Sequence, residues 1–575
     1  MKLKTVEIKN YRNLDGIKLI FDPKINFLVG ESNLGKSNFL ALLNNIFNRT
    51  NFSENDFYDL NKPIEIFLTL TLGDNEIGMF EDLFDPNEHN NINVIIRQDT
   101  IDDNIQFFHK ESGTNIHSSL VKCLNYIYYD SLRNPQNELT FDKRKGVGRF
   151  LNHIFNKYLE VTDIKDLDLI DKQGLSKLLE FINSKLNKIK FFQDFAISAD
   201  LETDTQNLIA RIIALKDEQH IYLQRSGYGV QFLSLICLTI FEKLLTINKY
   251  KAQKNIFKND EGNNYVSLLL GLDEPEIHLH PYMQRSLVKY LISIAENKDS
   301  DFIDVISEMF SINRILGQII IATHSPNILL LNYKQIIRFY KNESNQIIVK
   351  NGAEISIEAE IEKHFFKNMP YIKEAFFSKC VILVEGDTEL GAFPVFAETL
   401  KIDLDDYGVS VINANGADSI PPLMALFEHF SIMAIGLMDK DKYKEDYAKI
   451  ENLYFTEKQD FEEEIVALCF KAQQENILKN IVNIYDSKGL KRKILKDQLN
   501  KIIKKYNLNT EDPTEQNYDF EIEDKNLLYP MFLAWMSKKS VILGRTIAEN
   551  ITEHFIIPNK IKEILNIAVR VSKNV

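Results

Sequence analysis

The chain has 575 residues, room for several domains. Its 45% hydrophobic and 26% charged content is that of a globular protein with more than one core, not of a disordered or fibrous chain. A net charge of -14 argues against a surface that attracts nucleic acid as a whole, so any DNA contact must come from local basic patches or from bound divalent metal.

Residues 1–48 read as three strands, a glycine loop and a helix. Val6 and Ile8 begin an alternation, Ile25 to Val29 is a short apolar run, and Phe39, Leu42, Leu43, Ile46 and Phe47 stripe a helix starting near Lys36. Between strand and helix lies Gly30-Glu31-Ser32-Asn33-Leu34-Gly35-Lys36-Ser37, the P-loop pattern GxxxxGK[ST]. Gly30 and Gly35 let the backbone wrap phosphate oxygens, with Asn33 and Asn38 in the same cradle. Lys36 is expected to reach the terminal phosphates of ATP, and Ser37 to hold its Mg2+. Ile64 to Leu72 alternates as a half-buried strand. Residues 75–215 are the least legible, with a strand-like piece at Asn93 to Arg97 and a helical one at Gly174 to Ile189. They are expected to form an insertion used for dimerisation.

The pattern sharpens from residue 220. Ser226-Gly227-Tyr228-Gly229-Val230-Gln231 opens a helix running to Leu245. Val266 to Leu272 is a continuous apolar run suited to a buried parallel strand, and it delivers Asp273 and Glu274 at its end. Asp273 is the expected Mg2+ partner and Glu274 the expected base for the attacking water. A second buried strand, Ile319 to Ala322, leads into Thr323-His324-Ser325-Pro326. After a junction at 346–378, a new strand and helix series begins. Val381 to Val384 ends in Glu385-Gly386-Asp387-Thr388-Glu389, and Ile432 to Met438 ends in Asp439-Lys440-Asp441. Glu389 falls one helical turn after Glu385. An extended backbone through 439–441 predicts that both aspartates face one side. Four such carboxylates make a hard-oxygen set suited to Mg2+ or Mn2+. Residues 471–575 read as mainly helical, and Lys488, Lys491, Arg492, Lys493, Lys496, Lys501, Lys504 and Lys505 form a basic stretch, either a solvated helix or a track for a DNA backbone.

Cys123, Cys237, Cys380 and Cys469 have no CxxC spacing, which reads as buried thiols in a reducing cytoplasm. Met1 to Asn10 lacks the apolar core of a signal peptide. No apolar run reaches the roughly 18–20 residues of a membrane helix, so a cytoplasmic protein with no membrane partner is expected.

The order P-loop, glycine-rich helix start, acidic strand and histidine strand resembles ABC ATPases of the SMC and DNA-repair kind. The resemblance implies that Ser226, Gly227 and Gly229 act as the signature that meets the γ-phosphate from an opposite subunit. It also implies that His324 senses that phosphate, and that Arg12, in Asn10-Tyr11-Arg12-Asn13, approaches the nucleotide. No glutamine occurs between 49 and 72, so the Q-loop of that family is unassigned. The second acidic set resembles a Toprim domain. An ABC ATPase followed by Toprim resembles the OLD (overcoming lysogenization defect) family, which includes the Gabija nuclease subunit and retron-associated effectors. That resemblance adds Glu462 as a further acid and Lys539, with Lys538 nearly as good, as a lysine at the scissile phosphate.

The expectation is therefore an α/β protein: an ABC-type ATPase domain (1–74 and 216–345) with a helical insertion (75–215), the junction, a Toprim domain (379–470) and a helical C-terminal region (471–575). Its expected function is ATP-regulated, metal-dependent DNA endonuclease activity in phage defence. One metal ion is expected at the nucleotide and two at the Toprim site. A homodimer or tetramer is expected, with an operon-encoded helicase or reverse transcriptase (with its DNA/RNA) as partner. The alternative is a non-cleaving SMC-like clamp on DNA with a structural metal.

Overall fold

The structure is a computed structural model. It describes residues 1–574 except 81–82, 84, 86–87, 132–138, 140–147, 151–152, 155–156, 158–171, 202–212, 278, 331, 343, 488, 491, 511–516, 519 and 521–523. The chain divides into two compact units, one of residues 1–340 and 347–354, the other of 341–346 and 355–575.

In the first unit, β1 (Lys2–Lys9), β2 (Lys18–Ile20), β3 (Ile25–Val29), α1 (Lys36–Asn48), β4 (Ile64–Thr71), β5 (Asn91–Gln98), β6 (Gln106–His109) and β7 (Asn125–Tyr129) follow in order. Then come α2 (Lys172–Leu186), the antiparallel pair β8 (Ser198–Leu201) and β9 (Ile213–Lys216), and α3 (Tyr228–Tyr250). The unit ends with β10 (Phe257–Lys258), β11 (Asn264–Asp273), α4 (Pro281–Ala295), α5 (Ser300–Phe310), β12 (Arg314–Ala322), β13 (Ile336–Lys341) and β14 (Ile347–Asn351). One antiparallel sheet runs β2-β1-β4-β5-β6, and a second runs β10-β11-β12-β3-β13-β14 with β7 beside β11. In the second sheet β7, β11, β12, β3 and β13 are parallel. All five residues of β3 are buried, as are the last eight of β11, which is why these segments read as unbroken apolar runs.

Two expectations change here. The segment from residue 75 is not set apart from the ATPase sheets as far as Tyr129. β5 extends the antiparallel sheet by pairing with β4, and β7 pairs with β11 in the parallel one. Local sequence signals the β5 strand but not its long-range partner. Helix α3 is long and apolar enough to pass for a membrane span, with mean hydropathy 1.8 over its best window. Glu242 and Lys243 interrupt the run, and 72% of that window is buried, as in a helix packed into a core.

The second unit contains α6 (Ala359–Ile372), β15 (Cys380–Val384), α7 (Asp387–Thr399), β16 (Val409–Asn413), α8 (Ile420–His429), β17 (Met433–Met438) and β18 (Leu453–Phe455). It continues with α9 (Phe461–Lys471), α10 (Glu475–Ser487), α11 (Lys496–Tyr506), α12 (Lys525–Met536), α13 (Val541–Asn550) and α14 (Asn559–Asn574). Its four-stranded sheet has the order β16-β15-β17-β18, and every neighbouring pair is parallel. The C-terminal helices are part of the same core: Trp535, Leu543, Ile547 and Ile564 cluster with Ile382, Val384 and Ile435.

The basic stretch is partly structural. Lys488 and Lys491 lie outside the described residues. Arg492 donates to the Trp535 carbonyl (2.9 Å) and the Tyr485 hydroxyl (3.0 Å) and stacks on both rings. Lys505 is ion-paired with Asp460 at 2.5 Å.

Candidate active site

Parallel strands place the loops at their C-terminal ends side by side, which is where α/β sheets assemble ligand sites. In the first unit β3 ends in the P-loop. Gly35 there has φ 89°, the left-handed conformation that glycine tolerates. The Lys36 ammonium donates to the carbonyls of Gly30 (3.0 Å) and Glu31 (2.6 Å). Burial brings its pKa down to about 8, against the pull of Glu274 and Asp273. Ser37 Oγ donates to Asp273 Oδ1 at 2.8 Å, so strand β11 does deliver its first acid to the P-loop. Burial pushes Asp273 up to about 6, an energetic reason for a cation beside it.

Glu274 sits at φ 46°, and its carboxylate lies 3.4 Å from His324 Nε2. The two sequence candidates therefore face each other. Arg12 is held by Asp56 (2.7 Å) and donates to Asn38 Oδ1 (2.7 Å), while Asn38 Nδ2 donates to Asn13 Oδ1 (2.7 Å). Asn33 lies in the P-loop at φ 63°. Ser226 donates to Asp217 at 2.9 Å, and Gly227 and Gly229 open α3.

Sequence reasoning missed Glu276. Its Oε1 accepts from the Thr323 hydroxyl (2.8 Å) and the His324 amide (2.6 Å), fixing the turn that carries the histidine. The Asp-Glu-Pro-Glu spacing after β11 was the available signal. Asp56 was missed too, because only folding brings it to Arg12.

In the second unit Glu385 directly follows β15 and Asp439 directly follows β17, and the two strands are neighbours. The Asp439 amide donates to Glu385 Oε2 at 3.2 Å. Glu389, in the first turn of α7, is 2% exposed, and Glu462, in the first turn of α9, is likewise 2% exposed. The first amide of α9, that of Phe461, donates to Asp439 Oδ1 at 3.1 Å, so a helix N-terminus faces this carboxylate. Asp460 caps the same helix and is itself held by Lys505 and Tyr506.

The Lys539 ammonium stands among these acids, 3.3 Å from Asp439 Oδ2 and 3.1 Å from Glu462 Oε2. Burial raises Glu389 to about 8, with Glu462 adding to the rise. Burial also raises Asp439 to about 7, against the opposing effect of Lys539. For Lys539, burial works downward, but Glu462, Glu389 and Asp439 outweigh it and hold the ammonium well above its ordinary value.

Lys539 reaches this place through a backbone contact. It lies just before α13, which crosses α7. A Cβ on Gly391 of α7 would come 2.1 Å from the Val541 carbonyl oxygen, and one on Gly544 of α13 would come 1.8 Å from that of Thr388. Only glycine permits that approach. Lys538, the near-equal choice, is exposed, as is part of Lys539; the ion pairs to Asp439 and Glu462 are what mark Lys539.

Asp441 is the exception. The chain leaves the extended conformation after Asp439 and turns through a 3-10 segment at Lys440–Lys442. That turn leaves Asp441 exposed, its carboxylate beside Lys442 at 3.3 Å.

Among the described residues no group of three or more His, Cys, Asp or Glu side chains already stands at metal-holding spacing. The donor chemistry nevertheless suits a hard divalent cation. Glu389 Oε2 and Glu462 Oε1 are buried carboxylate oxygens without a hydrogen-bond donor, and such atoms are costly unless something compensates them.

A P-loop ATPase followed by a Toprim-like acidic sheet defines the class: a nuclease joined to an ATPase domain. Comparison with known proteins agrees. Residues 376–441 match the family "Overcoming lysogenization defect protein-like, TOPRIM domain", and 1–194 and 79–329 match "AAA ATPase domain". The chain is 23% identical to the Old nuclease of Escherichia phage P2, over 80% of this chain and 79% of that one. It is 24% identical to Endonuclease GajA of Bacillus cereus (strain HuB5-5), over 100% of this chain and 87% of that one. Among solved structures, an SMC head bound to the C-winged helix domain of ScpA is 15% identical with a TM-score of 0.33, covering 63% of this chain and 98% of that one. The chain belongs to the AAA ATPase domain family, and its residues 376–441 form an OLD-like Toprim domain.

Proposed function

We propose that the chain is a metal-dependent DNA endonuclease whose cutting is regulated by ATP, acting as a homodimer or tetramer in anti-phage defence. The observation that carries this reading is the approach of Glu385, Glu389, Asp439 and Glu462 to one another around Lys539 at the end of a parallel sheet. A cluster of buried acids beside one ammonium is poorly suited to hold a fold together, and well suited to hold divalent cations against a phosphate.

Mg2+ or Mn2+ would be held by Glu385, Glu389, Asp439 and Glu462, and would supply an activated water together with neutralisation of charge on the scissile phosphate. The protein's own contribution is orientation. The first amide of α9 fixes Asp439, and the α7–α13 crossing fixes Lys539. Lys539 presents a fixed positive charge toward developing negative charge on phosphate oxygens. In the first unit, Lys36, Ser37 and Asp273 would hold MgATP, Glu274 would activate the attacking water and His324 would sense the γ-phosphate. Ser226, Gly227 and Gly229 complete the pocket of a second copy, and the segment between the ATPase halves serves dimerisation. A helicase or reverse transcriptase encoded beside it is the partner suggested by the family resemblance.

Plasmid nicking tests the reading. With Mg2+ or Mn2+, wild type relaxes supercoiled DNA, while Glu385→Ala and Asp439→Ala lose the activity and still bind ATP. Equal relaxation by all three proteins overturns the site assignment.

A further inference from the structure

Helix α6 buries a polar face. His364 is 7% exposed and Asn368 is 0% exposed, one helical turn apart and so on one side of the helix. Leucines would serve a core better, because buried polar groups must find partners. Within the helix His364 Nε2 pairs with Glu360 Oε1 (3.0 Å) and Asn368 Nδ2 donates to the His364 carbonyl (2.9 Å), and the remaining partner of each lies on a single loop. His364 Nδ1 lies 2.9 Å from the Ser419 hydroxyl, itself 1% exposed. Asn415 Nδ2 donates to Asn368 Oδ1 at 3.0 Å, and Lys367 Nζ donates to the Asn415 carbonyl at 3.0 Å.

That loop is also the one that closes on the end of β15. The Ala414 amide donates to the Val384 carbonyl (2.9 Å), and the Gly416 amide to the Glu385 carbonyl (3.0 Å). Asn413 Nδ2 donates to Asp387 Oδ1 at 2.8 Å. A continuous set of hydrogen bonds therefore runs from one face of α6, through 413–419, to the backbone of Glu385.

We propose that His364, Lys367 and Asn368 are positioning residues that set Glu385, acting through the Asn415–Ser419 turn; this rests on the nuclease reading of the acidic cluster. The Glu385 carboxylate touches the rest of the cluster through the Asp439 amide, so its aim depends on where its backbone is held. Sites of this kind need their groups fixed to within about 0.5 Å, and a strand end does not achieve that without a partner loop. The α6 face supplies the rigid side of that partnership.

The test measures plasmid nicking against Mn2+ concentration for wild type, Asn415→Gly, Asn368→Ala and the double variant. Asn415 is exposed and has φ 53°, so glycine keeps the backbone and deletes only the side-chain bond. Each single variant is expected to raise the Mn2+ concentration for half-maximal nicking about 10-fold, equivalent to about 1.4 kcal/mol. Rate at saturating Mn2+ is retained, Asn415→Gly melts at the wild-type temperature, and the double variant is no worse than the worse single one. An unchanged half-saturation overturns the proposal. So does an additive loss, or a rate reduced at every Mn2+ concentration alongside a lowered melting temperature. Glu385→Ala separates the two readings. If it is inactive while the asparagine variants match wild type, only the positioning role fails. If it still nicks, the nuclease assignment falls and the positioning role falls with it.

Discussion

Lys539 occupies the position where cations would be needed, and its ion pairs with Asp439 and Glu462 make it an internal counter-charge for the acids. Replacing it by methionine keeps its length and removes the charge. Lys539→Met is expected to lower nicking by about 100-fold or more, the scale of losing one charge-stabilising donor. It is also expected to melt at a lower temperature without metal, and to gain more from added Mn2+ than wild type does, because metal then supplies the missing compensation. Melting curves with and without Mn2+ check this, and an identical metal-induced rise in both proteins contradicts it. In the first unit, Glu276 is the comparable residue. Glu276→Gln keeps an acceptor but loses the charge that holds Thr323 and His324. ATP hydrolysis is expected to fall about 10-fold, the worth of one charge-assisted hydrogen bond, with ATP binding unchanged; full hydrolysis in the variant removes Glu276 from the mechanism.

Elements carried by local pattern were legible, and those set by distant contacts were not. The apolar runs of β3, β11, β15 and β17 announced themselves, and so did the P-loop between β3 and α1, because burial on both faces leaves no room for polar residues. Asp439 followed from the strand it ends. Asp441 did not, because the extended backbone stops at Asp439 and a 3-10 turn begins at Lys440. Lys539 came from family resemblance alone. Nothing local to 538–540 tells which lysine meets Asp439 and Glu462, since the answer lies in the crossing of α7 and α13. Gly391 and Gly544 were the unread signal: glycine inside a helix costs about 1 kcal/mol against alanine, so two of them call for a close approach. Gly544→Ala is expected to destabilise the second unit by about 1–3 kcal/mol through overpacking and to abolish nicking by displacing Lys539. Gly78→Ala, where an added Cβ meets nothing within 4 Å, serves as the neutral comparison. Chemical denaturation and the plasmid assay together decide it, and wild-type nicking by a folded Gly544→Ala protein would free Lys539 of that crossing.

At the scale of the whole chain, two sites with separate chemistry share one polypeptide of net charge -14. Such a surface repels DNA at long range, and the basic stretch near α11 has partly been spent on internal contacts through Arg492 and Lys505. Affinity for DNA is then expected to come from local basic patches and bound metal, which leaves room for control by nucleotide. ATP alters cutting only if it binds two states of the protein with different affinity. The reach of such coupling is typically about 1–3 kcal/mol, or 5- to 150-fold. Under the defence role proposed above, a nuclease held silent until nucleotide is depleted would be inhibited by ATP, and that is the sign to test. ATP at millimolar concentration should suppress plasmid nicking by wild type about 10-fold or more. Lys36→Ala, which removes the P-loop ammonium without touching the acids of the second unit, should cut equally with and without ATP. Stimulation of wild type by ATP would reverse the sign of the regulation, and suppression of Lys36→Ala to the same degree would trace the effect to chelation of the metal by free nucleotide.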